Sequence, residues 1–213
     1  RCFLVFGRSF FGFGRTTFRF GQECCQLFDF DRNISFVLVE HFLGFGQTKI
    51  HVLEALGGNN ERIREIVAEE YNLVDVEHPV CVAICVDGLG SAIPLSTGID
   101  NKFFETDGQI TKSQIRALTI TALAPQYGQH LWDLGAGSGS VSIEWLMRDK
   151  SLYATAVERD PSRCVIIKQN VKNLGLDNLS LHNGSNMEVI MTLKPPHAVF
   201  VGGGLTKELM KKL

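Results

Sequence analysis

Five residues in the second half of the chain have the types and spacing to hold a nucleoside. Asp133 stands near the end of an apolar run in "LWDLGAGSGSVSIEWL" (Leu131 to Leu146), and Gly135, Gly137 and Gly139 follow at alternate positions. Glycines at a strand-to-helix turn permit positive φ and let a ligand approach the backbone where a Cβ would block it. The dinucleotide fingerprint G-x-G-x-x-G needs its third glycine one position later, and that position holds Ser140. Glu158 closes the next apolar run, "LYATAVE", nineteen residues after Gly139. An acid there accepts hydrogen bonds from both hydroxyls of a ribose. The set suits an adenosine-containing ligand without a pyrophosphate. A glycine-rich turn also closes sheets that bind nothing, and an acid at a strand end can be merely solvated; the ordered combination favours a cofactor.

Such residues converge only if the chain alternates strands and helices. "TKSQIRALTITALAP" predicts a helix capped by Thr111 or Ser113, with Ile115, Leu118, Ile120 and Leu123 as its apolar face and Pro125 beyond its end. "QHLWDLG" then predicts a strand, "SVSIEWLMRD" a helix, "LYATAVE" a strand, and "PSRCVIIKQNVKNLG" a helix with Gly175 at its C-cap. "LSLHNG" and "HAVFVGG" predict strands on either side of a short helix, "NMEVIMTL". Near-continuous apolar strands in repeated β-α units mean an α/β fold with a doubly wound parallel sheet.

Upstream the grammar differs. "TKIHVLEAL" predicts a strand, "GGNN" a turn, and "PVCVAICV" a buried strand. "ERIREIVAEEY", with Ile63, Ile66 and Val67 on one side and charges on the other, predicts an amphipathic helix. Residues 87–104 are rich in Gly, Pro, Ser and Asp without periodicity, and read as a linker. Residues 1–48 carry twelve of the fifteen phenylalanines among Gly and Arg, and show no sustained period beyond the run "ISFVLVEHF". That segment reads as a poorly preserved stretch or as an aromatic-basic segment for nucleic acid.

Bulk properties exclude more than they assign. The 213 residues are 45% hydrophobic and 21% charged, with a net charge of −2. This is globular composition without the broad basic surface usual in nucleic-acid binders. No apolar stretch reaches the roughly 18–20 residues that span a bilayer, and the N-terminus lacks the pattern of a signal peptide; a cytoplasmic protein is expected. None of the six cysteines forms a C-x-x-C pair. They are expected as small buried hydrophobes in a reducing compartment, with Cys81 and Cys85 on one strand face, and no metal site is expected.

The glycine turn followed by an acid at the next strand end resembles the signature of class I S-adenosylmethionine-dependent methyltransferases. Over a wider span, "DGQITKSQIRALTITALAPQYGQHLWDLGAGSGSVSIEWL" and "AVFVGGG" resemble the decarboxylating methyltransferase domain of cobalamin biosynthesis. "VLEALGGNNERI" resembles the end of the tetrapyrrole methylase domain fused to it in bifunctional enzymes. The resemblance covers residues 49–213, and implies the C-terminal part of a tetrapyrrole methylase domain over 49–86 and the methyltransferase over 105–213. A class I sheet has seven strands, of which residues 129–201 would supply four.

The activity implied is methylation of carbons 5 and 15 of a precorrin with decarboxylation of an acetate side chain, S-adenosyl-L-methionine being the cofactor. Thr111, Gly135, Ala136, Gly137, Ser138, Gly139, Glu158 and Asn186 fall on the family's cofactor-binding positions. Where the family has Gly-Asp before the last of these, this chain has Gly184-Ser185. No general base is implied, and no N/D-P-P-Y/F motif of amino-group methylation follows the fourth strand. Lys112 and Arg116, one helical turn apart, are candidate partners for substrate carboxylates. His130 and His182 are expected to be structural. The family implies assembly into homo-oligomers through this domain. Methylation of RNA or protein by another class I enzyme, and an inactive fragment, are the alternatives.

Overall fold

The computed structural model describes residues 44–213 together with the backbone of three strands before them: β1 (Cys2–Phe6), β2 (Phe18–Phe20) and β3 (Glu23–Cys25). The run "ISFVLVEHF" and the rest of the Phe- and Gly-rich segment lie outside the described residues. β1 corrects the reading of that segment as lacking strands. The chain divides into two units, Arg1–Ala92 and Ile93–Leu213. No helix among the described residues is long and apolar enough to cross a membrane.

The first unit holds an antiparallel sheet. β4 (Lys49–Glu54), β5 (Arg62–Val67) and β6 (Val80–Cys85) join β1 in the order β1-β6-β4-β5. Ile50 and Val52 of β4 pack on Val80, Val82 and Ile84 of β6. Cys81 and Cys85 share the other face of β6, beside Leu53 and Ala83. Cys85 is disulfide-bonded, which corrects the expectation of thiols throughout.

β5 corrects the predicted helix over "ERIREIVAEEY", of which only Ala68–Glu70 is helical, as a single 3₁₀ turn. The segment returns from the turn at Gly57–Asn60 to pair antiparallel with β4, Glu54 opposite Arg62. Glu54 is fully buried, and Arg62 and Arg64, two residues apart on one strand face, each meet its carboxylate at 2.7 Å. That pairing turns the arginines inward and leaves Ile63 60% exposed, the reverse of the amphipathic helix.

The second unit is α/β. Its parallel sheet consists of β7 (His130–Leu134), β8 (Tyr153–Glu158), β9 (Leu179–Asn183) and β10 (Ala198–Val201), in the order β10-β7-β8-β9. The helices are α1 (Ser113–Leu123), α2 (Ser140–Leu146), α3 (Pro161–Asn173), α4 (Asn186–Ile190) and α5 (Lys207–Met210). Alternation along the central strands sends side chains to two cores. Leu131 and Ala154 pack with Ile120 of α1 and Val141 and Trp145 of α2. Trp132, Leu134 and Val157 pack on the opposite face with Ile190 and Leu209. The order of strands reverses between β7 and β10, so a crevice opens there at their carboxyl ends.

Local signals explain the helix ends. Asp160 caps α3 by accepting from the Ser162 N–H at 2.8 Å, with Pro161 at the first helical position. Gly175, just past the helix, has φ +63°. α1 departs from expectation in two ways. Its cap residue is Lys112, which makes no side-chain cap bond, so neither Thr111 nor Ser113 caps it. Its buried residues are Arg116 and Ile120, whereas Ile115 and Leu118 are 55% and 68% exposed. The helix is rolled by a buried ion pair: Arg116 Nε meets Glu144 Oε1 of α2 at 2.5 Å with neither side chain exposed.

Candidate cofactor site

The crevice between β7 and β10 is a cleft of about 660 Å³, a size typical of small-molecule sites. Its floor is the turn after β7. The Gly135 and Ala136 N–H groups donate to the Val157 carbonyl at 2.8 and 3.0 Å, which ties the turn to the end of β8. A Cβ on Gly135 would stand 2.7 Å from the backbone nitrogen of Gly203, so this turn packs backbone to backbone against the one that follows β10. At Gly137 a Cβ would meet nothing nearer than the Gln109 carbonyl at 3.9 Å, and open space lies above it.

Glu158 stands at the carboxyl end of β8 and lines the cleft. Its Oε2 accepts from the Gly137 N–H at 2.8 Å and its Oε1 from the Asp160 N–H at 2.9 Å. One backbone donor on each oxygen fixes the carboxylate and leaves further lone pairs for a diol. Asp133, behind the turn, is fully buried. Its Oδ2 accepts from the Ser142 N–H and hydroxyl at 3.1 and 2.7 Å, and its Oδ1 has no partner among the described residues. Burial, against the pull of those Ser142 bonds and with Glu158 adding to it, pushes its carboxyl up to about 6.

The opposite wall is a strap, residues 105–111, of which Gln109, Ile110 and Thr111 line the cleft. The Thr111 carbonyl accepts from the Arg116 guanidinium. Arg163 of α3 grips the strap by Asp107 at 2.8 Å and Gln109 at 2.7 Å. The Gln109 N–H and Arg163 together hold the Asp107 carboxyl below its usual range. Gly202, Gly203 and Gly204 form the far side with Asn186, whose Nδ2 donates to the Gly203 carbonyl at 3.1 Å.

Of the residues expected at the cofactor, Thr111, Gly135, Ala136, Gly137, Ser138, Glu158 and Asn186 come together on the cleft, with Ser185 beside them. Gly139 does not line it; a Cβ there would meet Ile167 of α3 at 3.1 Å, so this glycine serves packing. Arg116 is corrected as a substrate contact. It is fully buried, and its NH2 donates to the Ile99 carbonyl at 2.6 Å while Glu144 takes its Nε. Lys112 is exposed at the start of α1. His130 bonds Thr155 Oγ1 at 2.8 Å from the first residue of β7, at the end of the sheet away from the cleft. His182 lies on the edge strand β9.

Sequence reasoning missed the arginines of the cleft, Arg159 and Arg163. The signal was their position, directly after Glu158 and in the first turn of the helix that follows it. The site fits an adenosine ligand on its own terms: Glu158 keeps free lone pairs on the cleft, Gly137 leaves open space beside it, and Ser138 lines it with a buried hydroxyl that has no partner among the described residues.

The comparisons agree with this geometry. The family described as "Precorrin methyltransferase domain" matches residues 102–213. A precorrin-6Y C(5,15)-methyltransferase [decarboxylating] of Sinorhizobium sp. is 40% identical over 176 residues, 81% of this chain and 42% of that protein. A cobalt-precorrin-6B C(15)-methyltransferase (decarboxylating) of Salmonella typhimurium is 38% identical over 95 residues, 44% of this chain and 48% of that one. The crystal structure of the C-terminal domain of precorrin-6Y C5,15-methyltransferase from Rhodobacter capsulatus superposes with a TM-score of 0.54 at 39% identity, covering 56% of this chain and 65% of that one. The matched regions thus span less than half the length of these two curated relatives. With its parallel sheet, glycine turn and cleft, the chain belongs to the precorrin methyltransferase domain family.

Proposed function

We propose that the cleft holds S-adenosyl-L-methionine and that the chain serves decarboxylating C-methylation of a precorrin, at carbon 5, carbon 15 or both, in cobalamin biosynthesis. The observation that carries this is the meeting of Glu158 and the open face of Gly137 at the switch point of the sheet. When bound, the cofactor supplies a methyl group on a positively charged sulfur. Glu158 would accept from the ribose hydroxyls, the Gly135–Ser138 turn would wrap the methionine portion, and Ser185 and Asn186 would border the adenine.

The ionisable side chains lining the cleft are Glu158, Arg159 and Arg163. With Glu158 given to the ribose, no carboxylate or imidazole among these described residues remains to act as a base. That suits an acceptor carbon that is already nucleophilic and needs alignment rather than deprotonation. Arg159, exposed at the cleft, and Lys112 can meet the carboxylates of a tetrapyrrole. Gly203, where a Cβ would meet nothing within 4 Å, leaves width on that side for a bulky ring. The Sinorhizobium alignment covers 81% of the chain, more than the second unit alone, so the similarity extends into the first unit.

Calorimetric titration with S-adenosylhomocysteine tests the reading. Saturable binding is expected, weakened about a hundredfold in Glu158→Ala by loss of two hydrogen bonds to a charged group. Failure of the folded wild-type chain to bind would overturn it.

A further inference from the structure

One row of side chains on α3 joins the two walls of the cleft, and the middle and last of its members do not line the cleft themselves. Arg163, Ile167 and Asn170 are spaced i, i+4 and i+7, one above another on one helix face. Arg163 holds the strap at Asp107 and Gln109. Ile167 fills the space beside Gly139, where a Cβ would approach within 3.1 Å. Asn170 reaches both walls at once. Its Oδ1 accepts from the Glu105 N–H at 2.7 Å, and its Nδ2 donates to the Glu105 carbonyl and to the Ser138 carbonyl, each at 2.9 Å.

Asn170 is fully buried. Asparagine is a weak helix former, and burying its amide is costly unless every group is paired. A leucine would suit the core face of a helix better. What the amide provides instead is a link between two segments that make no shared secondary structure: the first residue of the strap and the glycine turn. Both nitrogen protons and one oxygen lone pair are used on those two segments alone.

We infer that Asn170 is a positioning residue that sets the separation of the strap from the glycine turn, and through it the affinity and release rate of the adenosine ligand. The inference rests on the reading of the cleft as the cofactor site. Preorganised walls spare the ligand the cost of ordering them. If the link is lost, the strap that carries Gln109, Ile110 and Thr111 and the turn that carries Ser138 loosen together.

The test compares Asn170→Leu, which keeps the branched four-atom side chain and removes all three bonds, with Asn170→Asp, which keeps only the bond from the Glu105 N–H. Leu152→Ala, a truncation in the core at the end of the sheet away from the cleft, supplies a control that is destabilised without touching either segment. Hydrogen exchange without ligand is read at residues 105–111 and 135–139, and S-adenosylhomocysteine binding by calorimetry and stopped flow. Both Asn170 variants are expected to speed exchange in the two segments together and to weaken binding about tenfold, mostly through faster release. Leu152→Ala is expected to leave both readouts at wild-type values.

Unchanged affinity, or faster exchange in one segment alone, overturns the inference. If wild-type protein does not bind S-adenosylhomocysteine, the cofactor reading fails, and the exchange data still decide whether Asn170 couples the walls. If neither variant folds, Arg163→Gln, at a partly exposed position, must speed exchange across residues 107–111; otherwise the row does not hold the strap.

Discussion

Asp133 binds its proton more tightly in the folded protein than in the unfolded chain. Its carboxyl is pushed up to about 6 from an ordinary 3.8. Its contribution to stability is therefore full below about pH 4 and is lost as pH rises through about 6. The difference corresponds to about 3 kcal/mol. Asp133→Asn should flatten the decline of unfolding free energy between pH 4 and 6, as measured by urea denaturation at a series of pH values; an unaltered slope would assign it to other groups. At this scale the sequence was informative where chemistry is local. Asp133, the glycines and Glu158 could be read because their spacing along one β-α-β unit is what builds the turn. Arg116 could not. Its partner Glu144 lies 28 residues away on α2, and a cation on a helix near a cleft reads as a ligand contact until that partner is known. The role of Gly139 was hidden for the same reason, since Ile167 belongs to a later helix.

At the scale of elements, the Arg116–Glu144 pair joins α1 to α2 and to the segment before α1. Glu144 also accepts from the N–H groups of Gly98 and Ile99 at 2.7 and 2.9 Å, and Arg116 donates to the carbonyls of Ile99 and Thr111. Arg116→Met should cost about 3–5 kcal/mol, because it strands a buried carboxylate. Pairing it with Glu144→Met should recover only part of that loss, since four backbone groups also lose their partners. Chemical denaturation of the single and double variants measures both, and full recovery would show that those backbone bonds carry little. The parallel sheet and its helices were legible because apolar runs, caps and turn residues agreed in each unit. β5 was not, because "RIREIV" fits a period of 3.6 as well as one of 2 over so few residues. The choice was made by pairing with β4 and by the buried Glu54, neither of which a local window contains.

At the scale of the whole chain, the division falls between Ala92 and Ile93, and Leu89 and Leu95 on either side are almost fully exposed. Brief treatment with chymotrypsin should cut there first, and the fragment from about residue 93 onward should keep the S-adenosylhomocysteine affinity of the intact chain. Mass spectrometry of the fragments and calorimetry check the two statements; loss of affinity on cleavage would mean that the first unit contributes to binding. Within the second unit, the backbone contact between Gly135 and Gly203 ties together turns that lie 68 residues apart in the sequence. A Cβ on Gly135 or Gly202 would strike backbone within 2.7 Å, whereas one on Gly203 would meet nothing within 4 Å. Under substitution, then, the two glycine turns behave as one part. A side chain can be added at Gly203 without meeting a neighbour, while one at Gly135 or Gly202 forces the facing turn to move.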